Sequence, residues 1–538
     1  TMSDTSLTPN VTGNINLKKR NAKRKGGRTM SDATSNPNVE DGMKSNLTTH
    51  INLKKVKMFD HISQLPDCIL SYILTKLSMK DLLKTSILSK RWCNLWALRR
   101  DLYFDVFNVF ENNEEELLQK GYLFDIPSAH CFIILERSIN LELSLDEFVR
   151  WVDQFLKHSN ATVIDSFLVN FYLNSQQQTT IDNWISLVIK RGIQRIDLLF
   201  KGSPYGRCDR PRKYYKFSFN LFLESNASTL KHLSLECCII SIPPNCNFIP
   251  FKSLSFLSLK WVKVDGIFIQ SLPQLEELHL IECELKSSIL KMVSSSLCHL
   301  KVTSCYVLFG NSKKFIEQCS LDCLKLTSLD YDGHDLANLN FNTPMLNNFH
   351  LVVSYSQHLI AFRLFATLPK LESLQLDIYS TVPTSLKITQ RLEHLKQLNL
   401  IFMRPFDFLQ KLDFDLSGIL TILQASPLLQ KLSIMIMSPE IIENQKDARD
   451  LEAFSHDEVK VIELRGCVGN WYEIEFAMNV MKYANKLERI VLSPYWRDDI
   501  DESLDWNSNP AWFQNGRQRI AEKLQNEEVV GREKLVLI

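Results

Sequence analysis

No run of apolar residues in this 538-residue chain approaches the eighteen or so that a membrane-spanning helix requires. The N-terminus is polar and basic and lacks the apolar core of a secretory signal, so neither a membrane anchor nor export is expected. Charge of one sign is also lacking: 62 Lys+Arg against 61 Asp+Glu leave a formal net charge of +1. That balance gives no global pull towards nucleic acid or membrane, and no direct nucleic-acid binding is expected. Among 13 cysteines there is no CxxC pair, and the adjacent Cys237-Cys238 suits neither a zinc knuckle nor a simple staple. Reduced, mostly buried thiols in an intracellular protein are expected, with no metal site. No Walker P-loop, GxGxxG, GxSxG, HExxH or kinase-type constellation occurs, so no catalytic residue and no cofactor is expected. The 12 histidines are dispersed; His232, His279, His299, His350 and His394, beside the repeats described below, read as surface or loop residues.

What is present is ordinary for a globular chain, with 45% hydrophobic and 23% charged residues. The length allows two or three domains, or one repeat array with appendages. Residues 1–58 are polar, rich in Ser, Thr, Asn, Gly and Lys, and read as a disordered leader. The leader contains a near-duplication: TMSDTSLTPNV recurs as TMSDATSNPNV, and INLKK occurs twice. Because the chain begins Thr1-Met2, residue 1 is expected not to be the natural start; Met30, Met43 and Met58 are other conceivable starts. Lys18, Lys19, Arg20, Lys23, Arg24, Lys25 and Arg28 form a dense basic run, a candidate nuclear-import signal, a loose nucleic-acid contact or a solvated tail. The expected location is nucleus, cytoplasm or both.

The stretch from Phe59 to Trp96 carries three short helical signals. Leu65-Pro66 opens the first, with Pro suited to the first helical position. Ile69, Leu70, Ile73, Leu74 and Leu77 then make one apolar stripe. Ser78 with Asp81 reads as the N-cap pair of a second helix bearing Leu82, Leu83 and Ile87. Leu88, Trp92, Leu95 and Trp96 form the third stripe. So much apolar surface on so small a unit implies docking, either on the domain that follows or on another protein.

These residues resemble the F-box. The leading LP, the I-L-x-x-I-L stripe and the T-S-x-L-S-K-R-W-x-x-L-W ending all match in order; many members carry Pro where this chain has Ser78 or Met79. The resemblance implies docking on a Skp-type adaptor of cullin–RING ubiquitin ligases. The residues it points to are Leu65, Pro66, Ile69, Leu70, Ile73, Leu77, Leu82, Trp92, Leu95 and Trp96.

Beyond an acidic stretch at Glu111–Glu116, read as a loop, Leu145, Phe148, Val149, Val152, Phe155 and Leu156 fall at helical spacing, capped by Ser144 with Glu147. The chain then repeats L-x-x-L-x-L and its variants. Examples are Ile164-Phe167-Val169, Ile193-Ile196-Leu198, Leu230-Leu233-Leu235, Leu275-Leu278-Leu280, Leu371-Leu374-Leu376 and Leu429-Leu432-Ile434. Steps between units are irregular: 24, 21 and 22 residues in one run, 37 in another. The last two apolar positions are two apart, so both point inward from one strand, and the first sits on the entering turn. One unit cannot close a core alone; stacked units can, with parallel strands on the concave face of a solenoid. Few units carry the Asn or Cys that follows the strand in regular leucine-rich repeats; Cys237 and Cys283 come close, and the convex side is expected to be irregular.

NWISLVIKRGIQRIDLLF, with Trp184, Arg191-Gly192 and Ile196-Asp197-Leu198, resembles the opening repeats of plant F-box proteins with leucine-rich repeats. VKVIELRGCVGNWYEIEFAMNVMKYANKLERIVLSP resembles the FBD module that ends many of them. It reads as a strand (Val459, Val461, Ile462, Leu464), a turn at Gly466–Gly469, a helix through Ile474, Ala477, Met478 and Met481, and a strand at Leu487-Ile490-Leu492. Trp512 and Arg517 fit the module's end. The expected fold class is α/β: a basic leader (1–58), a helical F-box (59–100), a solenoid (101–455) and an FBD-like region (456–538) that caps it. The resemblance implies a non-catalytic substrate adaptor. A Skp-type adaptor, and cullin through it, would bind the F-box, and a protein target of unknown identity the repeats. A repeat scaffold without ligase role is the alternative, and a small-molecule receptor a third reading.

Overall fold

The computed structural model describes residues 61–77, 79–85, 92, 99–109, 123–127, 135–139, 141–159, 161–200, 214–222, 229–241, 248, 251–265, 271–310, 312–332, 336–354, 357–379, 390–403, 416–437, 441, 455–495, 510–525, 527 and 529–538. The basic leader, Ser78, Leu88, Leu95, Trp96 and the Glu111–Glu116 stretch lie outside the described residues. No described helix is long and apolar enough to cross a membrane.

Period-2 alternation of apolar residues builds the main sheet. Its strands are β1 (Asp101–Asp105), β2 (Ser166–Phe171), β3 (Arg195–Phe200), β4 (His232–Glu236), β5 (Phe256–Lys260), β6 (Glu277–Ile281), β7 (His299–Thr303) and β8 (Ser328–Asp332). It continues with β9 (Asn348–Ser354), β10 (Ser373–Tyr379), β11 (Gln397–Met403), β12 (Lys431–Ile436), β13 (Val461–Arg465), β14 (Arg489–Ser493) and β15 (Leu535–Leu537). The 15 strands lie in chain order, each paired with the next. The pairing is parallel and in register, so that Phe167, Ile196, Leu233, Leu257, Leu278, Leu300 and Leu329 form one inward row. The first residue of each triplet is buried as expected, from Ile164 through Leu230 and Leu297 to Leu429. The rule also runs further than the repeats seen in the sequence. Val459 precedes β13 rather than lying in it, and Val459-Ile462-Leu464 is another buried triplet.

The layer opposite the main sheet changes along the chain. Helices α4 (Leu141–His158) and α5 (Gln178–Lys190) cover the early strands, α6 (His358–Ala366) and α7 (Ser417–Ala425) the later ones, and α8 (Trp471–Tyr483) and α9 (Pro510–Gln525) the end. Between them the steps are too short for a helix, and the chain stays extended. Tyr215–Phe217, Cys238–Ser241, Lys263–Asp265, Glu284–Leu285 and Tyr306–Phe309 pair in parallel, and Ser312–Phe315 folds back antiparallel. A separate three-stranded sheet joins Ile289–Ser294, Gln318–Cys323 and Leu339–Asn342.

Three local expectations are corrected. Helix α1 (Asp67–Thr75) begins one residue after Pro66, which is the N-cap and whose carbonyl accepts from the N–H groups of Ile69 and Leu70, both at 3.0 Å. Helix α4 starts at Leu141, so Ser144 lies inside it rather than at its N-cap; Leu and Glu residues propagate the helix upstream. The cysteine ladder after the strands uses Cys238, Cys283 and Cys305, not Cys237. Cys237, Trp261, Glu282 and Ser304 occupy the same left-handed position in four successive repeats, with φ of 50–53°. The next residue in each therefore turns inward, and Cys283 and Cys305 are buried with their thiols on the carbonyls of Leu259 and Leu280 at 3.2 and 3.3 Å.

The C-terminal strands continue the same sheet. The turn from β13 into α8 has Gly466 and Gly469 at φ 72° and 82°, and is tied by the fully buried Glu473. One carboxylate oxygen of Glu473 accepts from the N–H groups of Val468, Gly469 and Asn470 at 2.9, 2.8 and 3.0 Å, forming a capping box with Asn470. Ile474, Ala477 and Met481 face the core, as the helical spacing predicts.

Candidate functional site

Two surfaces offer contacts to other molecules, and the first is the helical unit at the start. Helix α1 and helix α2 (Met79–Lys84) bury Leu70, Leu74, Met79 and Leu82, together with Trp92 from the third stripe. These side chains join Leu102 and, from the short helix α3 (Val106–Val109), Val106 and Val109 in the core that continues into the solenoid. Arg99 makes the joint. It stands where a repeat has its first leucine (Arg99-Leu102-Phe104), is buried, and donates to the Leu77 carbonyl and the Asp101 carbonyl, both at 2.8 Å. A charged side chain in an apolar slot gave no sequence signal, and Arg99 was not anticipated.

The ten expected docking residues therefore separate. Leu70, Leu82 and Trp92 are in the core; Leu65, Ile73 and Leu77 are half-buried; Pro66 and Ile69 are exposed, Ile69 by 46%. Leu95 and Trp96 lie outside the described residues. Two further residues share the open face: Ile62, 55% exposed, in the 3-10 turn Ile62–Gln64, and Tyr72, 64% exposed and one turn on from Ile69. The i, i+3 spacing of Ile69 and Tyr72 was available in the sequence as a signal. Ile62, Pro66, Ile69 and Tyr72 leave an apolar face on helices otherwise packed against the solenoid.

The second surface is the open face of the main sheet. In most strands the inward residues alternate with half-exposed ones, such as His232, Ser234 and Glu236 in β4. Of the histidines read as surface residues, His232, His279, His299 and His350 fall here, and three of them meet carboxylates. His232 donates to Asp197 (3.0 Å), which also pairs with Arg195, and its ring stacks on Phe256 at 4.0 Å. His279 meets Glu277 at 2.9 Å and packs edge-on to Phe256 at 5.3 Å. His350 meets Asp377 at 2.9 Å, with Asp330 at 4.0 Å. Burial pushes the Asp197 carboxyl up, but its bonds from His232 and Arg195 prevail and hold it below the usual carboxylate range. Burial lowers His279, and Lys301 adds to this against the carboxylates of Glu277 and Asp330. His394 is exposed in a turn. Among the described residues no cluster could hold a metal ion, and the nine described cysteines are free thiols.

A parallel solenoid headed by a packed helical unit with exposed apolar residues defines a repeat protein of leucine-rich type with a helical head. The family comparison agrees. The model of the At1g61320/AtMIF1 LRR domain matches residues 155–522, and the F-box domain model matches residues 62–102. The chain belongs to the plant F-box proteins with leucine-rich repeats, a group that includes FBD-associated members. Among similar proteins of Arabidopsis thaliana, F-box/LRR-repeat protein 13 is 26% identical over 55% of this chain and 56% of its own length. F-box protein At3g59000 is 27% identical over 54% and 48%, and F-box/FBD/LRR-repeat protein At1g78750 is 24% identical over 52% and 47%. The matched segments thus span about half the length of these relatives.

Proposed function

We propose that the chain is the substrate-recognition subunit of a Skp–cullin–F-box ubiquitin ligase and does no chemistry itself. The observation that carries this reading is the exposed face of Ile62, Pro66, Ile69 and Tyr72 on helices that match the F-box family. A Skp-type adaptor would cover that face, and a target would sit on the open face of the main sheet. Ubiquitin transfer would then depend on proximity, with target lysines held at high effective concentration beside a charged conjugating enzyme. The test is a pull-down of the full chain with a Skp-type adaptor. The double variant Ile69→Ala, Tyr72→Ala is expected to lose about thirtyfold in affinity, or about 2 kcal/mol. Both side chains face solvent, so the fold should persist. Undiminished binding by the variant, or no binding by the parent, leaves a repeat scaffold without ligase role.

Nuclear import through Lys18, Lys19, Arg20, Lys23, Arg24 and Lys25 belongs to the same proposal, on the strength of the density of the run. A reporter carrying residues 1–58 is expected to enter nuclei, and the same reporter with Lys23, Arg24 and Lys25 changed to Ala to stay outside.

A further inference from the structure

Arg99 stands in a slot that other repeats fill with an apolar side chain, as with Ile164, Ile193 and Leu230. Burying a guanidinium there costs desolvation that a leucine would avoid, so Arg99 contributes something that burial does not. That contribution is directional. Apolar contacts among α1, α2, α3 and β1 hold the parts together but let them slide, because the hydrophobic effect has no preferred direction. The two 2.8 Å bonds from Arg99 fix one point on each side: the Leu77 carbonyl, just past the end of α1, and the Asp101 carbonyl at the start of β1. The next two residues grip the first repeat in turn. The Arg100 carbonyl accepts from the N–H groups of Asp165 and Ser166 at 2.9 and 3.3 Å, and its guanidinium pairs with Asp165. The Asp101 carboxylate accepts from the Ser166 hydroxyl at 2.7 Å. Consecutive residues therefore tie the end of α1 to β1 and to the entry of β2.

We infer that Arg99 is a positioning residue: its bond to the Leu77 carbonyl fixes the exposed face of α1, with Ile69 and Tyr72, at one angle to the open face of the main sheet. The inference deepens the ligase reading and rests on it for its meaning. Transfer by proximity depends on the geometry between the two faces as well as on what binds each. A loose joint would spread a bound target over many orientations and dilute the effective concentration of any one lysine at the conjugating enzyme. Arginine suits the role better than lysine, because its N–H groups sit in a rigid fork that spans two carbonyls, whereas an ammonium turns freely on a flexible stem.

The experiment uses the full chain with a ketone-bearing amino acid at Lys84, in α2, and at Lys190, at the end of α5; both positions are exposed, and the native cysteines stay untouched. Spin labels on the two ketones report the distance between the helical unit and the first repeats by pulsed electron resonance. The parent is expected to give one narrow distribution. Arg99→Leu refills the slot with an apolar side chain and is expected to widen the distribution about twofold, with Arg99→Lys between the two. Arg100→Ala removes only an exposed ion pair and should leave the parent distribution. A circular-dichroism melt checks that each variant folds; a merely structural Arg99 would shift the melt and leave the distribution as it was. In a ligase reconstituted from adaptor, cullin, RING protein and conjugating enzyme, Arg99→Leu is expected to keep adaptor affinity within about twofold. Ubiquitin should then spread over more of the chain's own lysines than in the parent. A parent distribution that is already broad, or one unchanged in both Arg99 variants, overturns the inference. The distances are read without an adaptor. A chain that binds no adaptor loses the ligase reading, while the joint is still judged by its distribution.

Discussion

His350 lies on β9 between two acids on the neighbouring strands, Asp330 on β8 and Asp377 on β10. Burial alone would lower its pKa. The hydrogen bond and charge of Asp377, with Asp330, outweigh burial and the opposing charge of Lys301, and the net shift is upward. A histidine whose pKa is raised on folding adds stability that is fully present below its unfolded value and is lost as pH rises through the folded one. The expected result is an imidazole titration by NMR with a midpoint above 6.5. In the variant Asp377→Asn the midpoint should fall. The stability advantage of the parent over His350→Gln should shrink as pH is raised through the shifted value. A midpoint below 6.5, or an advantage that grows with pH, would remove the claim that the acids outweigh burial.

At the scale of the element, what was legible in the sequence followed from burial. An inward position must be apolar in every repeat, so the triplets from Ile164 to Leu429 showed themselves, as did the body of α4 and α8. The convex layer did not, because it is decided by connection length and by four residues held at positive φ that are not glycine. Half of the docking face was legible for a related reason. A stripe on a short helix shows which residues are apolar but not which side meets the protein's own core, and Leu70 and Ile69 differ only in that. Turn geometry gives a sharper test. A Cβ on Gly466, at φ 72°, would stand 2.0 Å from the Ile436 carbonyl oxygen, whereas one on Gly310, at φ 60°, meets nothing within 4 Å. Gly310→Ala is expected to cost about 1 kcal/mol of left-handed strain. Gly466→Ala adds a backbone collision at the turn from β13 into α8 and is expected to cost about 3 kcal/mol. Equal losses in denaturant melts would show that the close approach of the turn to Ile436 does not matter.

Across the whole molecule each strand of the main sheet touches only its neighbours, so stability should accumulate from one interface to the next. A consequence concerns the last three strands. Residues 456–538 supply β13, β14 and β15 with α8 and α9, and His456 ties their start to the preceding repeat through the Ser426 carbonyl at 2.9 Å. Without them β12 becomes an open parallel edge, with its backbone groups unpaired and the ends of Leu432 and Ile434 uncovered. A chain ending at residue 455 is expected to aggregate and to melt at lower temperature. A chain ending at residue 525 loses the 3-10 turn Arg532–Lys534 and the short, half-buried β15 but keeps α8, α9 and β14, and should lose much less. If contacts are truly between neighbours, the soluble fraction of the shorter chain should still bind a Skp-type adaptor as the parent does, because Ile69 and Tyr72 lie at the other end of the array. Loss of adaptor binding on that truncation, in material whose first repeats remain protected from hydrogen exchange, would show coupling along the whole sheet. The F-box and the C-terminal strands would then have to be treated as one cooperative unit rather than as two ends of a chain of interfaces.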